Sequence, residues 1–385
     1  MSQRKTRVLM VSHTCQSTTE GQPKAHEIAK HSDIELQVLV PDRWQHYGAP
    51  RAPEMPQNPD FSFRVGKTAL PWVKGAGFYL HFYPQFAQIL RDFSPDIIDL
   101  WEEPWGLVSA HACALRNRVC PRAKIITETE QNIFKKLPPP FENFRSYTLK
   151  NADFAVGRNR ESLEILARKG FCGPSRVVPN GVDTSLFSPR ASRPSEEFVV
   201  GYSGRLVEEK GLDELLDALE FLPQNTVLEL VGGGDYEPKL REKAAKFSPR
   251  VRFLGAQPLE KLPQIYARFD VLALPSRTTP SWKEQFGRVL IEAGACGVPV
   301  VGSSSGAIPE VIGACENGDE NLENAQGLVF PERDAKALAA QIARLQNDAS
   351  LARKLGENGI SRAKNEFSWS CVATHMTQIY RELHS

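Results

Sequence analysis

The chain has 385 residues, 41% hydrophobic and 24% charged, which suits two α/β domains of about 150–200 residues that each bury a core. Its 47 basic and 46 acidic side chains leave a net charge of +1, so composition gives no reason to expect nucleic acid as a partner. The seven cysteines are scattered and odd in number, with no Cys-x-x-Cys pair; this argues against a disulfide framework or a zinc site and fits a reducing compartment.

In the first half, strands are predicted at Val8–Ser12, Leu36–Val40, Ile97–Leu100, Lys124–Thr127 and Phe154–Val156. The apolar Val8–Val11 run is too short for a signal-peptide core. No apolar run approaches the ~18 residues that span a bilayer, so a cytoplasmic protein is expected. Between the second and third strands lies a proline-rich stretch, Pro41–Pro59, which reads either as an acceptor-side loop or as an ordinary surface insertion. The aromatic-rich run Phe78–Leu90, with Lys67, Lys74 and Arg91 around it, reads first as core. The alternative is a face that docks on the inner side of a membrane, with Phe134-Lys-Lys-Leu-Pro-Pro-Pro140 as a second contact.

The polar, proline-bearing segment Ser188–Glu197 separates two apolar blocks and is taken as the linker. Beyond it, strands are predicted at Phe198–Tyr202, Val227–Val231, Val251–Leu254, Val271–Leu274 and Val298–Val301, and a helix over Gly211–Phe221. Several of these runs are continuously apolar, as in parallel strands covered on both faces. Strand–helix alternation in two blocks predicts two doubly wound, Rossmann-like α/β domains, 1–187 and 188–365, with residues 366–385 packing back on the first as a helix.

Two stretches carry chemistry. Ser203-Gly-Arg-Leu-Val-Glu-Glu-Lys-Gly211 follows a predicted strand and precedes a helix. It would place Arg205 and Lys210 beside Ser203 and Gly204 at the carboxyl end of a strand, where ligands of open α/β sheets bind. A guanidinium forks onto two phosphate oxygens and an ammonium adds a mobile charge, although a basic pair in a loop is also compatible with a solvated face. Downstream, Glu284-Gln-Phe-Gly-Arg-Val-Leu-Ile-Glu292 sets two carboxylates about two turns apart around a predicted helix start at Phe286, Gly287, Arg288 and Val289. Spacing alone leaves open a plain helix-end charge at Glu284 and a solvated Glu292.

At these residues the chain resembles glycosyltransferase family 4, retaining transferases of the GT-B fold. The match lies in Pro179-Asn-Gly-Val-Asp183, Ser203-Gly-Arg205, Glu209-Lys-Gly211, the pair Glu284 and Glu292, Gly297-Val-Pro-Val-Val301, Gly306-Ala-Ile-Pro-Glu310 and Phe367-Ser-Trp369, in the family's order. The resemblance implies two domains facing across a cleft and transfer of a hexose from a UDP-sugar or GDP-sugar to a saccharide or lipid-linked acceptor. Arg205 and Lys210 would hold the diphosphate, Glu292 the ribose, and Glu284 with the Phe286–Gly287 amides the donor sugar. Asp270 matches a family position and is read as structural. No metal or other cofactor is expected, since the chain has no Asp-x-Asp.

The first half departs from the family pattern. The first loop, Ser17-Thr-Thr-Glu-Gly-Gln-Pro23, has the single Gly21 where members carry a glycine pair. The histidine expected near the reacting carbon falls within Thr127–Asn132, at Glu130, with Glu128 as a neighbouring candidate. Glu102 and Glu103 follow another strand end and are acceptor-side candidates. This departure motivates a second reading, a sugar-nucleotide-binding sensor or pseudoenzyme. A GT-B epimerase or phosphorylase is a third, against which the glutamate pair argues.

Overall fold

In a computed structural model, residues 4–44, 51–70, 77–189, 196–314 and 322–384 are described. The chain divides into two compact units: Met1–Gly181 together with Trp369–Ser385, and Val182–Ser368. Of the predicted linker, residues 190–195 lie outside the described residues, as do 45–50 of the proline-rich loop, Lys74 and the side chain of Phe78.

The first unit holds seven strands: β1 (Thr6–Val11), β2 (Ile34–Pro41), β3 (Ser62–Gly66), β4 (Ile97–Leu100), β5 (Lys124–Thr129), β6 (Phe154–Gly157) and β7 (Ser175–Val177). They form one parallel sheet in the order β3-β2-β1-β4-β5-β6-β7. Successive side chains of β1 serve opposite faces, as the pleat requires. Val8 and Met10 pack in a cluster with Ala25 and Ile28 of the helix Gln22–Ala29 and with Val372, Met376 and Tyr380 of the helix Trp369–His384. Leu9 and Val11 join Phe86, Ile89 and Leu90 of the helix Phe86–Phe93 and Val108 and Ala112 of the helix Leu107–Val119. Burial on both sides is why these strands read as continuous apolar runs. Trp369–His384 therefore covers one face of the first unit's sheet. Tyr83, Phe86, Ile89 and Leu90 of the aromatic stretch are interior, as the core reading expected.

The second unit holds β8 (Phe198–Ser203), β9 (Thr226–Val231), β10 (Val251–Gly255), β11 (Val271–Leu274), β12 (Val300–Ser303) and β13 (Gly327–Phe330), parallel in the order β10-β9-β8-β11-β12-β13. The predicted helix at 211–221 forms as Leu212–Ala218 with a tighter last turn, Leu219–Phe221, and buries Leu212, Leu215, Leu216 and Leu219. The unit's two ends are tied to each other: the Val182 amide donates to the Phe367 carbonyl at 2.7 Å. In each sheet the strand order reverses at one place, between β1 and β4 and between β8 and β11. Such switch points open a crevice at the carboxyl ends of the strands. Among the described residues no helix is long and apolar enough to cross a membrane.

Candidate functional site

The switch point of the second unit gathers the predicted phosphate-end residues. β8 ends at the buried Ser203, and Gly204 follows with φ 148. Tyr202 donates to the Arg205 carbonyl at 2.8 Å, fixing the backbone below a solvent-exposed guanidinium. The chain then makes a short turn, Glu208–Lys210, closed by Gly211 at φ 67. A Cβ on Gly211 would lie 2.0 Å from the Pro275 carbonyl oxygen, so the approach of this turn to the end of β11 requires glycine.

That approach sets Lys210 in place. Its ammonium donates to Glu284 Oε2 at 2.5 Å and lies 4.9 Å from the Trp282 ring centre. The same Glu284 oxygen accepts from Ser276 Oγ at 2.8 Å, and Ser276, just past β11, is fully buried. The Glu284 carbonyl accepts from the Ala307 amide at 3.0 Å. Glu284 is thus a buried carboxylate pinned between strand ends, not a solvated helix charge.

Gly287, at φ 81, caps the helix Arg288–Ala295. Phe286 turns its ring into the core against Phe367, while Arg288 and Val289 are partly exposed on the first turn. Glu292 is 7% exposed and accepts from Tyr266 Oη at 3.1 Å; burial raises its carboxyl above the ordinary range. Both glutamates are therefore inside the unit. Asp270 accepts from the Val199 amide at 2.7 Å and ties the start of β8 to the turn before β11, a structural part.

Ahead of Glu284, the segment 276–283 is anchored to its own unit. Arg277 donates to Glu214 at 2.6 Å and Thr278 Oγ1 to Glu332 at 2.5 Å.

In the first unit the switch point lies between β1 and β4, and the sequence reading missed half of what it holds. His13, two residues past β1, pairs through Nδ1 with Glu102 at 2.8 Å, and its amide donates to the other Glu102 oxygen at 2.7 Å. Burial works against charge on the imidazole, but Glu102 outweighs it and His13 is raised; Glu102 is correspondingly lowered despite its own burial. The His13 ring also stacks on Trp44, centres 4.5 Å apart. The available signal was position, a histidine just beyond the first strand's carboxyl end. Gly21 lies where a Cβ would meet the Cys15 nitrogen and the Thr14 carbonyl carbon, both at 2.5 Å, so the single glycine packs this loop tightly.

Glu103 is partly open to solvent. It accepts from Thr129 Oγ1 at 2.6 Å and from the Glu130 amide at 2.9 Å, and burial pushes its carboxyl up to about 8. Glu130 follows β5 with its side chain partly exposed, 3.5 Å from the Arg158 guanidinium. Glu128 does not meet the expectation of an acceptor-side residue. It is 1% exposed, it ion-pairs with Lys24 at 2.6 Å and with Arg158, and those cations hold it low against the effect of burial. Nearby Asp99, buried in β4, is raised by burial and by the Glu128 charge, and accepts from Tyr380 at 2.6 Å. Glu128 is a buried counter-ion in the frame beneath Glu130. Among the described residues no cluster of three or more His, Cys, Asp or Glu side chains is disposed to hold a metal ion.

Two family models match, "Glycosyltransferase Family 4" over residues 27–186 and "Glycosyl transferases group 1" over residues 184–362. The chain belongs to glycosyltransferase family 4. A curated relative is the GDP-mannose-dependent alpha-(1-6)-phosphatidylinositol monomannoside mannosyltransferase of Mycolicibacterium smegmatis, 33% identical over 54% of this chain and 57% of the relative. The chain thus spans little more than half the length of that relative. Among solved structures, sucrose-phosphate synthase from Thermosynechococcus elongatus superposes with a TM-score of 0.72 at 22% identity, covering 98% of this chain and 99% of the other. Anabaena Alr3699/HepE in complex with UDP gives 0.70 at 18%, covering 98% and 100%. The fold of this family member is GT-B.

Proposed function

We propose that the protein is a retaining glycosyltransferase that moves a hexose from a nucleoside diphosphate sugar to a saccharide or lipid-linked acceptor without a metal ion. The observation that carries the reading is the Lys210–Glu284–Ser276 cluster at the second unit's switch point, with Arg205 exposed on the same loop system. Breaking a glycosyl–phosphate bond concentrates negative charge on the departing diphosphate, and cations fixed in advance stabilise that charge most where it is greatest. An ammonium carries three donors, so pairing with Glu284 orients Lys210 without consuming it. Arg205 would supply the second cation, the amides from Gly287 onward a further set of donors, and Glu292 the acceptor for ribose hydroxyls. In the first unit, Glu130 is assigned to the reacting centre or the acceptor, flanked by Glu103 and by His13 with Glu102. Named relatives and structural neighbours using GDP-mannose, UDP and a phosphatidylinositol-linked acceptor support the substrate classes.

The test is a thermal-shift panel of UDP, GDP, ADP and their sugar conjugates, with and without EDTA. A shift with one nucleotide is expected, unchanged by EDTA and lost in Arg205→Ala. Transfer activity should fall about 100-fold or more in Arg205→Ala or Lys210→Ala. A shift without turnover on any acceptor would favour the sensor reading. No shift with any nucleotide would end the donor assignment.

A further inference from the structure

The segment 276–283, which leads into Glu284, is tied down along its length and carries an aromatic side chain that the core does not use. Besides bonding Glu214, Arg277 donates its amide to the Glu209 carbonyl at 2.8 Å, next to Lys210 in the turn closed by Gly211. Thr278 Oγ1 lies 3.0 Å from Ser305 Oγ, beyond the end of β12. The Thr278 carbonyl accepts from Arg333 at 3.2 Å, and Arg333 keeps a left-handed backbone, φ 63, which costs energy in a residue other than glycine. The Lys210 turn, the helix after it and the chain beyond β12 and β13 all hold this one loop.

What they hold is a tight turn at Thr279–Trp282. The Thr279 amide donates to the Trp282 carbonyl at 2.7 Å, and the Trp282 amide donates back to Thr279 Oγ1 at 3.0 Å. The indole fixed in this way is partly exposed and stands outside the unit's apolar core. Its rigidity therefore serves something other than burial within the fold. What it touches is the site: the Lys210 ammonium lies over the ring, 4.9 Å from its centre, while bonded to Glu284. A pyranose presents a C–H face to be covered and hydroxyls around its rim, so an aromatic face beside a carboxylate complements it. A bare diphosphate has use only for the cation.

We propose that Trp282 is the residue that recognises the donor's sugar, its indole covering the hexose face while Glu284 meets the hydroxyls and Lys210 the adjoining phosphate. The inference rests on the transferase reading and adds to it the side chain that separates a nucleoside diphosphate sugar from the nucleoside diphosphate left after transfer. The ring acts on the transferred group alone, so the base and ribose are held by other residues.

The experiment is calorimetric titration of the full chain with UDP, GDP and ADP and with sugar conjugates of each, for the wild type, Trp282→Leu and Trp282→Phe. The quantity read is the ratio of conjugate affinity to nucleotide affinity. Leucine keeps an apolar side chain without an aromatic face, and is expected to lower that ratio about tenfold. Nucleotide affinity itself should move by about threefold at most, the share of the lost contact with Lys210. Phenylalanine should restore most of the ratio. An equal loss for nucleotide and conjugate overturns the proposal, because Trp282 then acts only by holding Lys210. A loss in Trp282→Phe as large as in Trp282→Leu overturns it too, in favour of a packing role. Fluorine NMR on fluorotryptophan-labelled protein, with the Trp282 resonance assigned by its absence in Trp282→Phe, reads the contact without the leucine variant. The conjugate should move that resonance further than the nucleotide does, and identical shifts from both overturn the assignment. No binding of any nucleotide to the wild type sinks the donor reading and this inference together. Nucleotide binding with a ratio unchanged in Trp282→Leu sinks only the present inference.

Discussion

Glu128 shows how a single acidic side chain can look catalytic in sequence and be structural in space. Its spacing from Glu130 put both at the end of one strand, but β5 stops at Thr129, so Glu128 is still inside the sheet and Glu130 is already past it. Glu130 emerges, while Glu128 enters an interior occupied by Lys24 and Arg158. A buried charge that loses its partner is uncompensated, so Glu128→Gln is expected to cost about 3–5 kcal/mol of stability, measured by denaturant unfolding. Glu103 gives a different signature. Its carboxyl is shifted from 4.5 to about 8, so the folded chain keeps a proton that the unfolded chain has released. The stability from that neutral carboxyl is complete below about pH 4.5 and lost as pH rises through about 8. In Glu103→Gln, which keeps the neutral form at every pH, the melting temperature should fall less between pH 6 and pH 9 than in the wild type. The pairing of Lys24 with Glu128, 104 positions apart, had no sequence signal, since long-range partners leave no local period.

At the scale of elements, all ten predicted strands are present; nine are interior strands of their sheets, and the tenth, Val251–Gly255, is a half-buried edge strand whose apolar residues still gave it a pattern. The three strands not predicted are all edges. Ser62–Gly66 is half exposed along its length, Ser175–Val177 has three residues, and Gly327–Phe330 is a short run opened by a glycine. An edge strand has one bonded neighbour and less need for an apolar sequence, so its pattern is weak. The turn before the helix Leu212–Ala218 was legible for the opposite reason: its approach to the end of β11 requires glycine at position 211. Gly211→Ala tests this. A left-handed alanine 2.0 Å from the Pro275 oxygen cannot be accommodated without moving the turn. The variant should lose more than about 2 kcal/mol of stability and the nucleotide-induced thermal shift together. Retention of that shift would show that the Lys210 turn tolerates displacement.

For the whole molecule, the motifs of the second unit named the family, and the first unit was readable mainly as topology. That asymmetry is physical. The second unit's motifs are runs of neighbouring residues, whereas the first unit's pairs, His13 with Glu102 and Glu103 with Thr129, are assembled from separate strand ends. The helix Trp369–His384 was anticipated as a return to the first unit, where it buries Val372, Met376 and Tyr380 against β1 and its neighbours. A chain truncated after Ser368 should lose the first unit's cooperative unfolding and bind a hydrophobic dye, while the second unit keeps its nucleotide-induced shift.

That returning helix also sets an order of events during synthesis. At roughly 5–20 residues per second, a ribosome works through the whole of Val182–Ser368 before the helix emerges. Throughout that interval the first unit's sheet has one face without its final cover, while the intervening unit can complete itself. The nascent chain is therefore expected to complete its second unit first and to expose an apolar sheet face of the first to chaperones until translation reaches the helix Trp369–His384.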